Sequence, residues 1–203
     1  MHPPGLLGKH PAFGDFLGFG LSEGTRAALT GWIDPILAEM KAELGERWEA
    51  FYDAAPDLCF WIGGQLLEAP LFGVMRASRD RVGRRYPLFL GVENCGLEPP
   101  VLEEDQGPYA RLIAHLEAMQ PDHRGAQSLL EGIELPQLPM APRPPVATEL
   151  WAMNHGEDPV ALLADVRRAD QLSAAAGRSY FWHPAAAGPG LGFQVQAGLP
   201  NIA

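Results

Sequence analysis

Apolar residues between positions 33 and 53 fall at helical spacing. In the first stretch they recur every three or four positions, at Ile33, Ile36, Leu37, Met40 and Leu44, which places them on one face of an α-helix. Asp34 and Pro35 supply a cap and a rigid first-turn residue, and Gly45 follows as a stop. The pattern predicts a helix over about 34–44 and a second, short helix over about 47–53.

Three apolar runs follow, at 58–62, 71–75 and 88–92. Their length and the turn residues between them are typical of an antiparallel meander of β-strands. Phe60, Trp61 and Ile62 are apolar in succession, and a strand without polar alternation is buried on both faces. We therefore predict an α/β fold in which a central, mostly antiparallel or mixed sheet is covered by helices on both faces.

The second half of the chain adds helices and strands to this picture. Apolar spacing predicts three more helices, over about 108–119, 125–133 and 159–175, the last of them capped by Asp158. Two strand patterns, at 178–182 and 191–196, are expected to join the same sheet.

Five prolines lie within residues 136–145, and proline is unfavourable in helix interiors and central strands. This segment is either an extended crossing within one domain or a boundary between two domains. The sequence after it predicts one helix and two strands, which is little material for a separate core. We therefore predict a single domain over residues 1–203 with a proline-rich crossing at about 136–145.

The charge of the chain excludes some partners. It has 15 Lys and Arg against 25 Asp and Glu, for a formal net charge of -10. Nucleic-acid binding depends on clustered cations that release counterions, so neither nucleic acid nor an anionic membrane surface is expected as the principal partner. No apolar stretch of about 18 residues occurs, and the N-terminus lacks the regions of a signal peptide. A cytoplasmic protein without membrane insertion is expected.

Motifs for catalysis and metal binding are lacking in the sequence. Cys59 and Cys95 stand alone and the six histidines occupy unrelated contexts, so no zinc set or Cys–His pair is indicated. We predict no cofactor, no metal site and no enzymatic activity. The alternative is a phosphate-ester hydrolase in which Asp15 and Asp80 share a metal ion.

Residues 8–16 read Gly-Lys-His-Pro-Ala-Phe-Gly-Asp-Phe and combine charged residues with the turn-forming residues glycine and proline. A nucleotide-binding loop needs Ser or Thr after its lysine, whereas His10 follows Lys9 here. A scaffold role fits better, with two glycines for tight turns, a stiffening proline and two aromatic anchors in the core, at Gly8, Gly14, Pro11, Phe13 and Phe16. Lys9 and Asp15 form either a local ion pair or exposed recognition charges.

Five of the 15 basic residues cluster within ten positions, at Arg76, Arg79, Arg81, Arg84 and Arg85. One explanation is internal: Asp80 accepts a bidentate pair from a neighbouring arginine, or Arg84 reaches Asp15 across the fold. The other explanation is a recognition patch for an acidic or phosphorylated partner. In that patch, Arg81 and Arg85 are expected to be the more exposed members.

These two stretches resemble the signatures of a known family. Gly8-Lys9-x-Pro11-x-x-Gly14-Asp15-Phe16 is similar to the N-terminal signature of the TagF family, which is associated with bacterial type VI secretion. The second family signature resembles Ser78-x-Asp80-x-x-Gly83-Arg84-x-Tyr86-Pro87-Leu88. A further family motif falls between them at residues 44–56, and weaker landmarks follow at residues 179–182 and 198–200.

The resemblance implies a regulatory function. TagF-family proteins are non-enzymatic, post-translational repressors of type VI secretion that bind a forkhead-associated scaffold protein. The positions carried over as site residues are Gly8, Lys9, Pro11, Gly14, Asp15, Phe16, Ser78, Asp80, Gly83, Arg84, Pro87 and Leu88, and Arg81 and Arg85 join them from the arginine cluster. A structural accessory subunit of the secretion apparatus remains a further alternative, with the opposite deletion phenotype.

Overall fold

The computed structural model describes residues 3–94, 96–135, 159–183 and 192–201. Within these residues, seven strands form one sheet: β1 Gly5–Gly8, β2 Leu17–Phe19, β3 Leu58–Ile62, β4 Leu71–Arg76, β5 Leu88–Glu93, β6 Arg178–Trp182 and β7 Phe193–Ala197. The α-helices are α1 Glu23–Leu44, α2 Trp48–Asp53, α3 Gly107–Ala118 and α4 Pro159–Ala176. Short 3₁₀ helices span Gly45–Arg47 and Ala126–Leu130.

The strands lie in the order β2-β1-β5-β4-β3-β6-β7, and every neighbouring pair is antiparallel. The predicted meander is confirmed, because β3 pairs with β4 and β4 with β5. The two C-terminal strands extend the sheet beyond β3, as predicted. At the other side, β1 and β2 add a hairpin against β5.

Both faces of the sheet are covered. Successive side chains along a strand point to opposite faces, so each strand contributes to two cores. Trp61 belongs to one core with Tyr109 and Leu112 of α3. Phe60, the preceding residue, belongs to a second core with Leu29 of α1. The α/β fold predicted from the unbroken apolar runs is therefore confirmed.

Helix α1 begins eleven residues earlier than the spacing predicts, at Glu23. Ser22 caps it by accepting a hydrogen bond from the N–H of Thr25 at 3.1 Å, so Pro35 lies inside the helix rather than at its start. Burial of Leu29 against the sheet compensates for the hydrogen bond that an internal proline removes.

Other sequence predictions have different outcomes. The helix expected over about 125–133 is the 3₁₀ helix Ala126–Leu130, and β1 and β2 were not predicted. The proline-rich crossing at 136–145, the cap at Asp158 and the environment of Cys95 lie outside the described residues. In the part of the chain that is described, no helix is both long and apolar enough to cross a bilayer.

Candidate functional site

The two motif stretches lie side by side at one end of the sheet. The first loop, residues 9–16, follows β1, and the second loop, residues 77–87, precedes β5. Since β1 and β5 pair antiparallel with Gly8 opposite Leu88, the end of one strand meets the start of the other. Strand register thus brings together two loops that are far apart in the sequence.

Asp80 is the centre of the contact between the loops. It is only 2% exposed, and its Oδ1 accepts hydrogen bonds from the backbone N–H groups of Val82 and Arg84 at 3.1 and 2.9 Å. Its Oδ2 accepts from Arg84 Nε at 2.6 Å and lies 3.1 Å from Lys9 Nζ. One carboxylate therefore closes the second loop on itself and ties it to the first.

Two further hydrogen bonds join the loops directly. Arg84 Nη2 donates to the carbonyl of Gly14 at 2.6 Å, and the N–H of Arg81 donates to the carbonyl of Phe13 at 2.8 Å. The prediction that Arg84 joins the two loops is therefore confirmed. The predicted acceptor, the Asp15 carboxylate, is wrong, because Arg84 donates to the backbone carbonyl of Gly14. Lys9 pairs with Asp80, so the local Lys9–Asp15 ion pair is wrong.

The second loop is a closed turn held to α2. The N–H of Asp80 donates to the carbonyl of Arg84 at 3.0 Å. The N–H of Gly83, a residue with a φ of 89°, donates to the backbone carbonyl of Asp80 at 3.0 Å. At the base of the turn, the N–H of Ser78 donates to the hydroxyl of Tyr52 at 3.1 Å. Desolvation by burial raises the pKa of Tyr52 to about 12, so the hydroxyl stays neutral as an acceptor.

Gly8 is required where the two loops begin. Its φ is 125°, and a Cβ on it would lie 1.9 Å from the carbonyl oxygen of Pro87, a distance that no side chain tolerates. Gly14 has no positive φ, and a Cβ there would meet only Arg81 Nη2 at 3.6 Å. The glycine requirement predicted for Gly14 is therefore wrong, and its contribution is the carbonyl that binds Arg84. Pro11 is exposed.

The arginines of the cluster divide into neutralised and unpaired groups. Arg76 forms a bidentate pair with Asp57 at 2.8 and 2.5 Å. Arg85 pairs with Glu49 and Asp53 of α2 at 2.9 and 2.7 Å and is only 15% exposed in its side chain, so the expectation of an exposed Arg85 is wrong. In contrast, Arg79 and Arg81 are exposed, and neither forms a salt bridge among the residues described, although Arg79 attracts the Asp53 carboxylate at longer range.

Both loops carry exposed residues. Phe13 packs partly buried against the core, as predicted, whereas Phe16 is 44% exposed and lies edge-on to Tyr86 with ring centroids 5.0 Å apart. The core role predicted for Phe16 is therefore wrong. We define the signature surface as six exposed residues of the two loops: Asp15, Phe16, Arg79, Arg81, Val82 and Arg84.

The geometry gives no support to a metal-dependent hydrolase at Asp15 and Asp80. The Asp80 oxygens already accept four hydrogen bonds, which fills the lone-pair positions of a carboxylate. Asp15 is exposed. Over the described residues, no group of three or more His, Cys, Asp or Glu side chains is placed to hold a metal ion.

The ionised form of Asp80 is strongly favoured. Burial raises the pKa of its carboxyl, but hydrogen bonds from Arg84, Lys9 and Val82 lower it by more, so the pKa lies well below the usual range. Because the pKa of this carboxyl is lower in the folded protein than its value of about 3.9 in the unfolded chain, its ionised form stabilises the fold at pH values above about 4. This contribution to the free energy of unfolding is lost as the pH falls towards the pKa of the folded state.

We expect a corresponding pH dependence of stability. The difference in melting temperature between wild type and Asp80→Asn should be largest above about pH 5 and should narrow as the pH falls below about 4. Thermal melting from about pH 7 to pH 2 measures it, with the exposed Asp15→Asn as the matched control. A difference in melting temperature between wild type and Asp80→Asn that does not change with pH would contradict the assigned role of the Asp80 charge.

Comparison with known proteins places these loops in a family context. The family model described as TagF N-terminal domain, Type VI secretion system-associated, matches residues 5–125, a range that contains both loops. The crystal structure of PA0076 from Pseudomonas aeruginosa PAO1 is similar with a TM-score of 0.73 and 23% sequence identity, covering 98% of this chain and 90% of that chain. This structural similarity shows that the two proteins share a fold. No curated protein matches the chain.

Proposed function

Because this chain belongs to the TagF N-terminal domain family of type VI secretion-associated proteins, we propose that it is a non-enzymatic regulator that represses secretion after translation. It does so by direct contact with the forkhead-associated scaffold protein of the secretion apparatus. In this proposal the signature surface is the contact region, and the buried residues beneath it hold that region in one conformation.

The observation that carries the proposal is the construction of the signature surface. Its members come from two loops joined by one buried carboxylate and by Arg84 bound to the Gly14 carbonyl. Loops fixed in this way lose little conformational freedom on binding, which lowers the cost of association. A role in protein contact uses this rigidity and needs no catalytic group.

The composition of the surface also fits a protein contact. Phe16 and Val82 are exposed apolar residues beside Arg81, and aromatic residues and arginine are enriched at interfaces. Unpaired cations on a chain of net charge -10 favour a partner whose contacting face is acidic.

Secretion assays test this function. Deletion of the gene is expected to raise the amount of secreted substrate in the culture medium, because a repressor has been removed. Complementation with Arg81→Glu should leave secretion raised, since reversing one contact charge weakens scaffold binding by about tenfold.

The matched control is Arg167→Glu on α4, which reverses the charge of an exposed arginine outside the signature surface. It should restore repression as fully as wild type. Loss of secretion on deletion would instead identify a structural subunit of the apparatus. Full repression by Arg81→Glu would exclude the signature surface as the contact region.

A further inference from the structure

Strand β7 is the last strand at one edge of the sheet. Among the residues that the structure describes, no strand lies beyond it. Its five residues, Phe193–Ala197, include no charged residue and no proline, although charges and proline are the usual means by which proteins keep an exposed edge from pairing with another chain. The backbone of β7 is therefore open to a further strand.

The opposite edge of the sheet is protected. Strand β2 has only three residues, Leu17–Phe19, and one of them is glycine. The carbonyl of Gly18 accepts a hydrogen bond from Arg26 Nη1 at 3.1 Å. A short edge strand with a charged side chain bound to its backbone is a poor template for pairing, so the two edges differ in kind.

The register of β6 and β7 shows which backbone groups of β7 face outward. The N–H of His183 donates to the carbonyl of Gly192 at 3.4 Å, and the N–H of Gly198 donates to the carbonyl of Gly177 at 3.1 Å. Both bonds continue the pairing of β6 with β7. Because the direction of these bonds alternates along an antiparallel strand, the even-numbered residues of β7 bond to β6. The residues whose N–H and C=O groups point away from the sheet are Phe193, Val195 and Ala197.

The side chains of β7 are uncharged on both faces. On one face, Phe193 is 52% exposed and Val195 is 47% exposed, and the ring of Phe193 lies 5.9 Å from that of Trp182. On the other face, Gln194 Nε2 donates to Gln196 Oε1 at 3.2 Å. The outer edge of β7 thus combines unpaired backbone groups with an apolar stripe and two amides.

From these observations we infer that β7 pairs antiparallel with β7 of a second copy of this chain, about a two-fold axis at Val195. In this register Val195 lies opposite its own copy, and the large Phe193 lies opposite the small Ala197. Each outward N–H then meets an outward carbonyl. On the other face Gln194 lies opposite Gln196, so no like charges are opposed. A strand that fits itself in this way forms the self-complementary contact of a symmetric dimer.

Charge favours this segment as the contact between copies. Two chains of net charge -10 repel each other, so contact is least unfavourable where the strand itself carries no charge. Pairing through one strand is a small interface, below about 1,200 Å² of buried surface, and interfaces of this size are weak and reversible. Added salt screens the repulsion between the copies and should tighten the dimer.

Sedimentation of the full chain over a range of concentrations tests the inference, at about 0.05 M and 0.5 M NaCl. Wild type should form a weak dimer that tightens at the higher salt. Val195→Pro removes an outward N–H without breaking a bond to β6, and Val195→Lys places two like charges on the two-fold axis. Both should weaken the dimer by about tenfold or more. The matched control is Phe51→Lys on α2, at a residue that is 53% exposed, and it should match wild type.

Circular dichroism establishes that each variant is folded, and Val195→Lys decides alone if Val195→Pro is not. Wild type that stays monomeric up to about 1 mM would overturn the inference. A dimer that both Val195 variants leave intact, or one that dissociates when salt is added, would place the contact elsewhere and also overturn it. Monomeric wild type whose scaffold binding is lost in Val195→Lys would show instead that the edge takes a strand of the scaffold protein.

Discussion

Asp80→Ala is expected to lower the melting temperature by about 10 °C, because removing one partner of a buried ion pair leaves the others uncompensated. The substitution leaves Lys9 without its carboxylate and the N–H groups of Val82 and Arg84 without their acceptor. It also removes the carboxylate link between the two loops and leaves only the hydrogen bonds of Arg84 to Gly14 and of Arg81 to Phe13, so the signature surface should be held less firmly.

Thermal melting beside scaffold affinity measures this effect. Asp15→Ala is the matched control, since it removes an exposed carboxylate from the first loop and should change the melting temperature by no more than about 2 °C. Arg84→Ala should fall between the two, because its side chain is largely exposed and Lys9 remains to pair with Asp80. Melting of Asp80→Ala close to wild type would reject the central role of this residue.

Gly8→Ala is the second substitution for which we expect a large loss of stability. A methyl group at this position would lie 1.9 Å from the Pro87 carbonyl, at a φ of 125° that side-chain-bearing residues rarely adopt. Relief requires β1 to separate from β5 at the end that carries both loops. We expect the melting temperature to fall by about 10 °C or the protein to be recovered as aggregate.

Gly14→Ala supplies the comparison within the same loop. Its added methyl group would make ordinary van der Waals contact with Arg81, so its melting temperature should stay within about 2 °C of wild type. Equal melting of Gly8→Ala and Gly14→Ala would show that the backbone at Gly8 adapts. Circular dichroism melting and size-exclusion chromatography distinguish these results.

Much of the sheet could be predicted because its central strands are long and apolar on both faces. The hairpin of β1 and β2 could not, since Leu17–Phe19 has three residues and one is glycine, too short for a periodic signal. The start of α1 was misplaced for a related reason. Pro35 is a strong local start signal, whereas the favourable burial of Leu29 and Ile33 depends on a sheet that local spacing does not reveal.

The candidate site divides in a similar way. Asp80 could be recognised as an acceptor for arginine because Gly83 and the nearby charges mark a turn that directs them. The partners of Arg85 could not, since Glu49 and Asp53 approach it only through the packing of α2. The same limit applies to Phe16, whose ring lies against Tyr86 of the other loop instead of in the core.

The pairing of β1 with β5 has a consequence for how the protein folds during synthesis. Arg84 and Gly14 are 70 positions apart, so their contact forms only after a long loop has closed, and such nonlocal pairings form slowly. A chain emerging from the ribosome therefore cannot present the signature surface until β5 has been synthesised and β1 has docked beside it. Under the proposed function, a copy of the chain that lacks β5, or in which β1 has not paired with β5, would not be recognised by the partner.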